Sequence, residues 1–199
     1  MNRNIYLIRH GKIDFDKKRY IGMTDLPLSD AGIEQANWLK EYFDDIHIEK
    51  AYSSPLSRCL LTSEIILEDR DIERIVVNEL REINMGDWEN KSFEYIKERF
   101  REQYEKRGDN IDSFVPPGGE SFAQLQKRVI PAFERLIGAT SGNILVVAHA
   151  GVNRVILSTL LDFPLKEIQK IDQPYACINR LSRDNTTKKW ALKQKYLEA

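Results

Sequence analysis

The stretch that decides the fold is Ile144-Leu145-Val146-Val147-Ala148, and His149-Ala150-Gly151 follows it directly. Five consecutive apolar residues, three of them β-branched, predict a strand that is buried on both faces of a sheet. A second run of this kind, Ile5-Tyr6-Leu7-Ile8, lies near the start of the chain and is followed by Arg9-His10-Gly11. Strands of this kind are typical of a parallel sheet that is covered by helices.

Helical patterns alternate with short strands along the rest of the chain. Helices are predicted to begin at the N-cap residues Ser29 and Ser54, at about Ser121 and near Gly151, and further strands are predicted at 51–53, 75–77, 176–181 and 190–196. This alternation predicts an α/β protein, a three-layer α/β/α sandwich with a mostly parallel sheet. No helix separates the last two strands, so one strand is expected to be antiparallel at an edge of the sheet.

Size and composition restrict the function. The 199 residues fit a single domain, 1–199. Lys and Arg number 30 against 31 Asp and Glu, a net charge of −1, so neither nucleic acid nor a membrane is an expected partner. Cys59 and Cys177 form no C-x-x-C pair, and we expect no metal and no cofactor. Isolated thiols without an apolar leader predict a cytoplasmic protein, either a monomer or a homodimer.

Residues 85–118 are the candidate for a cap or lid inserted into this domain. Within them, Phe93, Ile96, Phe100 and Tyr104 share one face of a predicted helix. Such a stripe is interpreted first as a packed face. The alternative is a lid that places aromatic rings near a bulky leaving group.

Two of the three histidines directly follow the two buried strands, His10 after the first and His149 after the second. In an open α/β sheet, ligands bind in the crevice beyond the carboxyl ends of the strands. If the two strands are neighbours, the two imidazole rings meet there. The third histidine, His47, lies in a polar connection and is interpreted as a surface residue.

Two arginines add positive charge to the same region. Arg9 precedes His10, and Arg58 lies near the first turn of a predicted helix, where the helix macrodipole favours an anion. Two guanidinium forks and two imidazoles suit a phosphoryl group, because the forks bind its oxygens and one imidazole can attack phosphorus. The leaving alcohol needs a proton. Composition alone leaves four candidate donors: Glu79, Glu82, Asp87 and Glu89.

These residues belong to motifs that follow one another along nearly the whole chain. They are Arg9-His10-Gly11, Gly-Met-Thr-Asp-Leu-Pro-Leu-Ser at 22–29, Ser-Ser-Pro-Leu-Ser-Arg at 53–58, the segment 80–90, Pro-Gly-Gly-Glu-Ser at 117–121 and Ala148-His149-Ala150-Gly151. The ordered set resembles the histidine phosphatase superfamily in its phosphoglycerate-mutase-like branch. The resemblance implies a metal-independent phosphomonoesterase with His10 as the phosphorylated nucleophile and Glu82 as the proton donor. It also implies that Arg9, Arg58 and His149 bind the phosphoryl oxygens.

Further substrate contacts are expected around these five residues. They are Gly11, Asp16, Gly22, Trp88 and Ala150. Trp88 is expected because it belongs to the segment that carries Glu82. Asp16 stands where many members of the superfamily have Asn, and an ionised carboxylate beside a phosphate would repel it, so Asp16 is expected to tune ligand binding. Ile21 and Asn90 also differ from the superfamily pattern, since many members have Thr in place of Ile21 and Gly in place of Asn90.

Within the branch, the Pro-Gly-Gly-Glu-Ser and Gly-Asp-Trp-Glu segments resemble those of alpha-ribazole phosphatases. The resemblance implies hydrolysis of alpha-ribazole 5'-phosphate in cobalamin biosynthesis, with a broad-specificity phosphatase for sugar or carboxylate phosphates as the alternative. A phosphoglycerate mutase must bind a second anion, and residues 85–118 carry eight acidic against six basic side chains, although placement can override this count. A catalytically dead phosphate-binding relative would lack the nucleophile or the acid, and both are present.

Overall fold

The protein is described by a computed structural model of residues 3–15, 17–184, 186–187 and 189–196. Within these residues, one sheet is built from strands β1 (Asn4–Arg9), β2 (Lys50–Ser53), β3 (Arg74–Val76), β4 (Ile144–Ala148), β5 (Ile178–Arg183) and β6 (Trp190–Lys195). Their order across the sheet is β3-β2-β4-β1-β5-β6, and β1 to β4 run parallel. The carboxyl ends of four strands therefore lie along the same side of the sheet.

Helices connect most of these strands. They are α1 (Asp30–Phe43), α2 (Ser57–Ile66), α3 (Phe93–Arg99), α4 (Arg101–Asp109), α5 (Phe122–Gly138) and α6 (Ala150–Leu160), with short 3₁₀ helices at Asn78–Leu80, Gly86–Trp88 and Leu165–Lys170. In the described part of the chain, no helix is long and apolar enough to span a bilayer.

Two hydrophobic clusters lie on opposite faces of the sheet, because alternate residues of a strand point to opposite sides. From β4, Val146 belongs to one cluster together with Val129 of α5 and Val155 of α6. Its neighbour Val147 belongs to the other cluster, together with Leu39 of α1 and the inner face of α2. Helices therefore cover both faces, and the predicted three-layer α/β/α sandwich is confirmed.

The mostly parallel sheet is also confirmed, but its antiparallel strand lies one position inside the edge. β5 pairs antiparallel with both β1 and β6, and β6 is the edge strand. The chain turns back after Arg183 and re-enters the sheet at Trp190 on the outer side of β5. The edge strand β6 therefore pairs antiparallel with its neighbour, as predicted, while it runs in the same direction as β1.

Helix α2 begins at Ser57 and not at the predicted cap, Ser54. The Asp25 carboxylate accepts hydrogen bonds from the Ser57 N–H at 2.9 Å and from its hydroxyl at 2.7 Å. An acid from a distant segment therefore supplies the acceptor that the helix N-terminus needs. The Ser54 hydroxyl instead forms a hydrogen bond with a residue of the candidate active site described below.

The aromatic stripe within residues 92–107 is split between two helices. Phe100, with φ −128° and ψ 43°, ends α3 and precedes α4. Ile96 is fully buried and Phe100 packs against the core, whereas Phe93 and Tyr104 line a cavity. Ile96 and Phe100 therefore fit the interpretation as a packed face, whereas Phe93 and Tyr104 fit the interpretation as a lid.

Candidate active site

The two histidines predicted to meet lie at the carboxyl ends of neighbouring parallel strands. β1 and β4 pair in a register that sets Arg9 opposite Ala148, so the next residues, His10 and His149, come together. The centroids of their rings are 5.1 Å apart. The predicted juxtaposition of the two rings is confirmed.

Hydrogen bonds distinguish the two imidazoles. The Nδ1 of His10 lies 2.7 Å from the carbonyl oxygen of Gly11, which can only accept, so Nδ1 carries the proton and Nε2 keeps its lone pair. In His149 the Nε2 is engaged, at 2.7 Å from the Ser54 hydroxyl, and the ring is fully buried. His10 is 4% exposed, and no described residue bonds its Nε2. The Nε2 of His10 is therefore the nitrogen available for attack.

Both imidazoles are held neutral by their surroundings. Burial lowers the pKa of His10 well below its ordinary value, and the positive charges of Arg9 and Arg58 lower it further. Burial also lowers the pKa of His149, and His10 and the same arginines add to this effect. A neutral His10 keeps the lone pair that an attack on phosphorus requires.

Arg58 is an almost fully buried cation whose position is fixed by one loop. Its Nη1 donates to the carbonyl oxygen of Thr24 and its Nη2 to that of Gly22, both at 2.8 Å. Its Nε–H has no acceptor among the described residues. An unused donor on a buried cation at the start of α2 is a group that a phosphoryl oxygen would satisfy.

Glu89 holds the same loop from its other side. The donors to its carboxylate, at 2.5–3.2 Å, are the backbone N–H groups of Gly22, Met23, Thr24 and Met85 and the Thr24 hydroxyl. Burial disfavours the charged form, but these bonds outweigh it and lower the pKa of Glu89. A Cβ at Gly22 would lie 2.2 Å from the carbonyl oxygen of Ile83, so only glycine fits there. The Gly22 backbone therefore binds Arg58 and Glu89.

The structure separates the four candidate proton donors. Glu89 is occupied by the loop, and Glu79 pairs with Arg135 at 2.8 Å on the surface. Asp87 is exposed. Of the four, Glu82 is the one that lines the cavity beside Arg9.

The carboxyl group of Glu82 is fixed at the start of α6. Its Oε1 accepts from the N–H of Ile83 at 2.9 Å, and its Oε2 accepts from the N–H of Gly151 at 3.0 Å. A Cβ at Gly151 would lie 2.4 Å from Oε1, so this close approach requires glycine. The Gly151 N–H therefore orients the candidate acid.

Arg9 is held by a segment that the sequence analysis did not single out. Its Nη1 donates to the carbonyl oxygen of Gln173 at 2.6 Å, and its guanidinium carbon lies 3.7 Å from the centroid of the Tyr175 ring. The same ring lies 5.6 Å from the ring of His10. Tyr175 could not be predicted from the sequence, because Arg9 and His10, the residues that it contacts, are distant in the chain. Its only sequence signal was its position just before a predicted strand.

A cavity of about 510 Å³ adjoins these groups. Arg9, Glu82 and Ala150 line its inner part. The rings and guanidinium groups that complete the lining belong to Tyr20, Phe93, Tyr104, Phe122, Arg19, Arg107 and Arg154. Phe93 and Tyr104 belong to the aromatic stripe whose alternative interpretation was a lid, and the other five were not predicted as site residues, since no sequence motif joins them.

The remaining four predicted contacts are placed differently by the structure. Ala150 lines the cavity, whereas Gly11 bonds the nucleophile through its carbonyl oxygen. Trp88 is corrected as a substrate contact, because its ring is fully buried in the core, 5.2 Å from the Tyr20 ring that does line the cavity. Asp16 lies outside the described residues.

Comparisons with known proteins identify the family of this chain. A family profile described as Histidine phosphatase superfamily (branch 1) matches residues 5–195. An Adenosylcobalamin/alpha-ribazole phosphatase of Salmonella typhimurium is 30% identical over 162 residues, which are 80% of this chain and 80% of that protein. A Yersinia pestis protein named "Probable phosphoglycerate mutase GpmB" is 32% identical over 163 residues, 80% of this chain and 75% of that protein.

A solved structure extends the similarity to the whole fold. The alpha-ribazole phosphatase from Shigella flexneri superposes with a TM-score of 0.87 at 28% identity, covering 96% of this chain and 94% of the other. Together with the family match, which spans nearly all of the sequence, this shows that the chain belongs to branch 1 of the histidine phosphatase superfamily.

Proposed function

We propose that this protein hydrolyses a small phosphate monoester through a phosphohistidine at His10, with alpha-ribazole 5'-phosphate of cobalamin biosynthesis as the substrate. The observation that carries the proposal is the available Nε2 of a neutral His10, which shares its site with Arg9 and Arg58 while Glu82 lines the adjoining cavity. The names of the Salmonella and Shigella proteins, matched over most of each chain, support the choice of substrate.

In the first step, the Nε2 lone pair of His10 attacks phosphorus in line with the ester oxygen. The N–P bond forms while the P–O bond breaks, and the electron pair of the broken bond goes to the leaving oxygen. Glu82 donates a proton to that oxygen, so the product leaves as a neutral alcohol. The guanidinium groups of Arg9 and Arg58 stabilise the charge on the other phosphoryl oxygens.

In the second step, water attacks the phosphohistidine. Glu82, now a carboxylate, accepts a proton from the water as the O–P bond forms. The N–P bond breaks, its electron pair returns to Nε2, and inorganic phosphate leaves. Within the described residues, no three His, Cys, Asp or Glu side chains are grouped to hold a metal ion, so charge compensation is assigned to the arginines.

We extend the proposal to the domain organisation and the location of the protein. Residues 1–199 form one domain in which 85–118 act as a cap, and the support is that α3 and α4 contribute Phe93, Tyr104 and Arg107 to the cavity. A cytoplasmic location is proposed because both cysteines are free and buried, as expected in a reducing compartment.

A panel of phosphate monoesters tests the substrate. We expect kcat/KM for alpha-ribazole 5'-phosphate to exceed that for sugar phosphates and 3-phosphoglycerate by at least about tenfold, or about 1.4 kcal/mol of transition-state binding. Similar values for all esters would indicate a broad-specificity phosphatase. The Yersinia relative is the reason to include 3-phosphoglycerate, and its conversion to 2-phosphoglycerate without phosphate release would indicate a mutase.

A further inference from the structure

The outer part of the cavity combines aromatic rings with positive charge. Four rings line it, those of Tyr20, Phe93, Tyr104 and Phe122. Guanidinium groups of Arg19, Arg107 and Arg154 also line it. Among the described lining residues, Glu82 is the only carboxylate, and it is assigned to the reaction. Arg107 and Arg154 therefore face a cavity whose described lining offers them no carboxylate other than Glu82.

Arg107 is the clearest case. No described residue forms a hydrogen bond or an ion pair with its guanidinium, whose central carbon lies 5.4 Å from the centroid of the Tyr20 ring. Burial lowers the pKa of Arg107, so solvation by water is reduced there as well. A planar cation that lies over one ring can take a second planar group on its opposite face. Its N–H groups also remain to be satisfied by acceptors.

Tyr20 and Tyr104, the rings beside Arg107, pack against the core and also line the cavity. The centroids of Tyr20 and Phe93 are 4.4 Å apart, and Trp88 supports Tyr20 from the core side. Phe93 is nevertheless 38% exposed while it lines the cavity. A partly exposed ring at a cavity wall gains free energy when a ligand covers it.

Two simpler ligand groups fit only part of this surface. A plain hydrocarbon would cover the rings but would leave the N–H groups of Arg107 without acceptors. A carboxylate would bind Arg107 but would leave the partly exposed ring of Phe93 uncovered. A heteroaromatic ring has both a flat apolar face and acceptor nitrogens at its edge.

We infer that the outer cavity is a base subsite, which binds a heteroaromatic group of the alcohol by stacking it on the Arg107 guanidinium and against Phe93 and Tyr104. Arg107 is then a specificity-determining residue, because it contacts the leaving group at a distance from phosphorus. The inference rests on the proposed phosphatase function and names how its substrate would be recognised.

The test compares two esters that share the ribose 5-phosphate portion and differ only in the base. These are alpha-ribazole 5'-phosphate and ribose 5-phosphate, each measured as kcat/KM. In the unmodified protein we expect a preference of at least about tenfold for the ester with the base. Arg107→Met is expected to reduce this preference to about threefold or less, and Arg107→Lys, which keeps the charge without the planar fork, to recover little of it.

The matched control is Arg99→Met, an exposed arginine of the same cap that does not line the cavity. It should keep the full preference. A preference that survives Arg107→Met would overturn the inference. A larger loss for 3-phosphoglycerate than for alpha-ribazole 5'-phosphate would also overturn it, because Arg107 would then bind a second anion.

Binding separates this inference from the proposed function. The dissociation constants of both esters are measured by calorimetry on His10→Ala, with and without Arg107→Met. If the unmodified protein hydrolyses neither ester, the proposed function fails, yet a base-dependent affinity that Arg107→Met removes would still support the subsite. Equal affinities for the two esters would reject the subsite even if hydrolysis were observed.

Discussion

Glu89 and Arg58 bind one short loop from opposite sides. The Glu89 carboxylate accepts from the N–H groups of residues 22–24, and the Arg58 guanidinium donates to the carbonyl oxygens of Gly22 and Thr24. A carboxylate that does not line the cavity thereby sets the position of a cation assigned to the phosphoryl group. Glu89 is a positioning residue in this arrangement.

Substitution of Glu89 should therefore weaken anion binding. We expect Glu89→Gln to raise the inhibition constant of vanadate about tenfold and to lower the free energy of unfolding by about 1–3 kcal/mol, because buried N–H groups lose acceptors. The control Glu79→Gln removes a surface ion pair and should change both quantities little. An unchanged vanadate constant in Glu89→Gln would show that the loop does not position Arg58.

Stability should fall below pH 6.5 because the fold holds His10 and His149 neutral. The pKa of each of these two histidines is lower in the folded protein than in the unfolded chain. Below pH 6.5 the unfolded chain therefore binds more protons than the folded protein, and the free energy of unfolding decreases as the pH falls. Each histidine contributes up to about 1.4 kcal/mol of this loss between pH 7.5 and pH 5.5.

Urea unfolding of His10→Gln at the two pH values measures this contribution. We expect the variant to lose up to about 1.4 kcal/mol less than the unmodified protein. His47→Gln is the control, since His47 is exposed on the surface. Identical pH dependence in His10→Gln and the unmodified protein would mean that the fold does not hold His10 neutral.

Glu82→Gln should slow the first step according to the leaving group. An alkyl ester needs the proton, and we expect its single-turnover phosphorylation rate to fall by about 10²–10⁴. The rate with p-nitrophenyl phosphate should fall by less than about tenfold, because nitrophenolate leaves without a proton. Asp87→Asn, an exposed acid of the same segment, is the control. Equal losses with both esters would remove Glu82 from the acid role.

Hydrolysis should not require a divalent metal, because guanidinium groups compensate the phosphoryl charge. We expect kcat/KM to remain within about twofold after dialysis against EDTA, with no gain on adding Mg²⁺, since the arginine donors persist. Loss of activity that Mg²⁺ restores would contradict this assignment of charge compensation.

Local patterns predicted the residues that lie at strand ends and within motifs. His10, His149 and Arg9 are placed by β1 and β4, whose apolar runs are visible in the sequence. Ser29 was also predicted correctly, because its hydroxyl accepts from Gly32 N–H at the start of α1. Such features depend on a few neighbouring residues, so periodicity and capping rules detect them.

Contacts between distant segments were not predictable in this way. Tyr175 reaches Arg9 from the loop before β5, and Asp25 replaces Ser54 as the acceptor for α2. Trp88 belongs to the motif that carries Glu82, but its side chain points into the core and is fully buried there. Strand order, register and side-chain direction decide these cases, and none of them is encoded by spacing alone.

The most direct test of the central claim is to trap the phosphorylated enzyme. The protein is mixed with substrate, quenched within the first turnover, digested and analysed by mass spectrometry. We predict one phosphate on His10, stable in base and lost in acid, and neither label nor turnover in His10→Ala. Phosphate found on His149 or another residue, or turnover that persists in His10→Ala, would contradict the account.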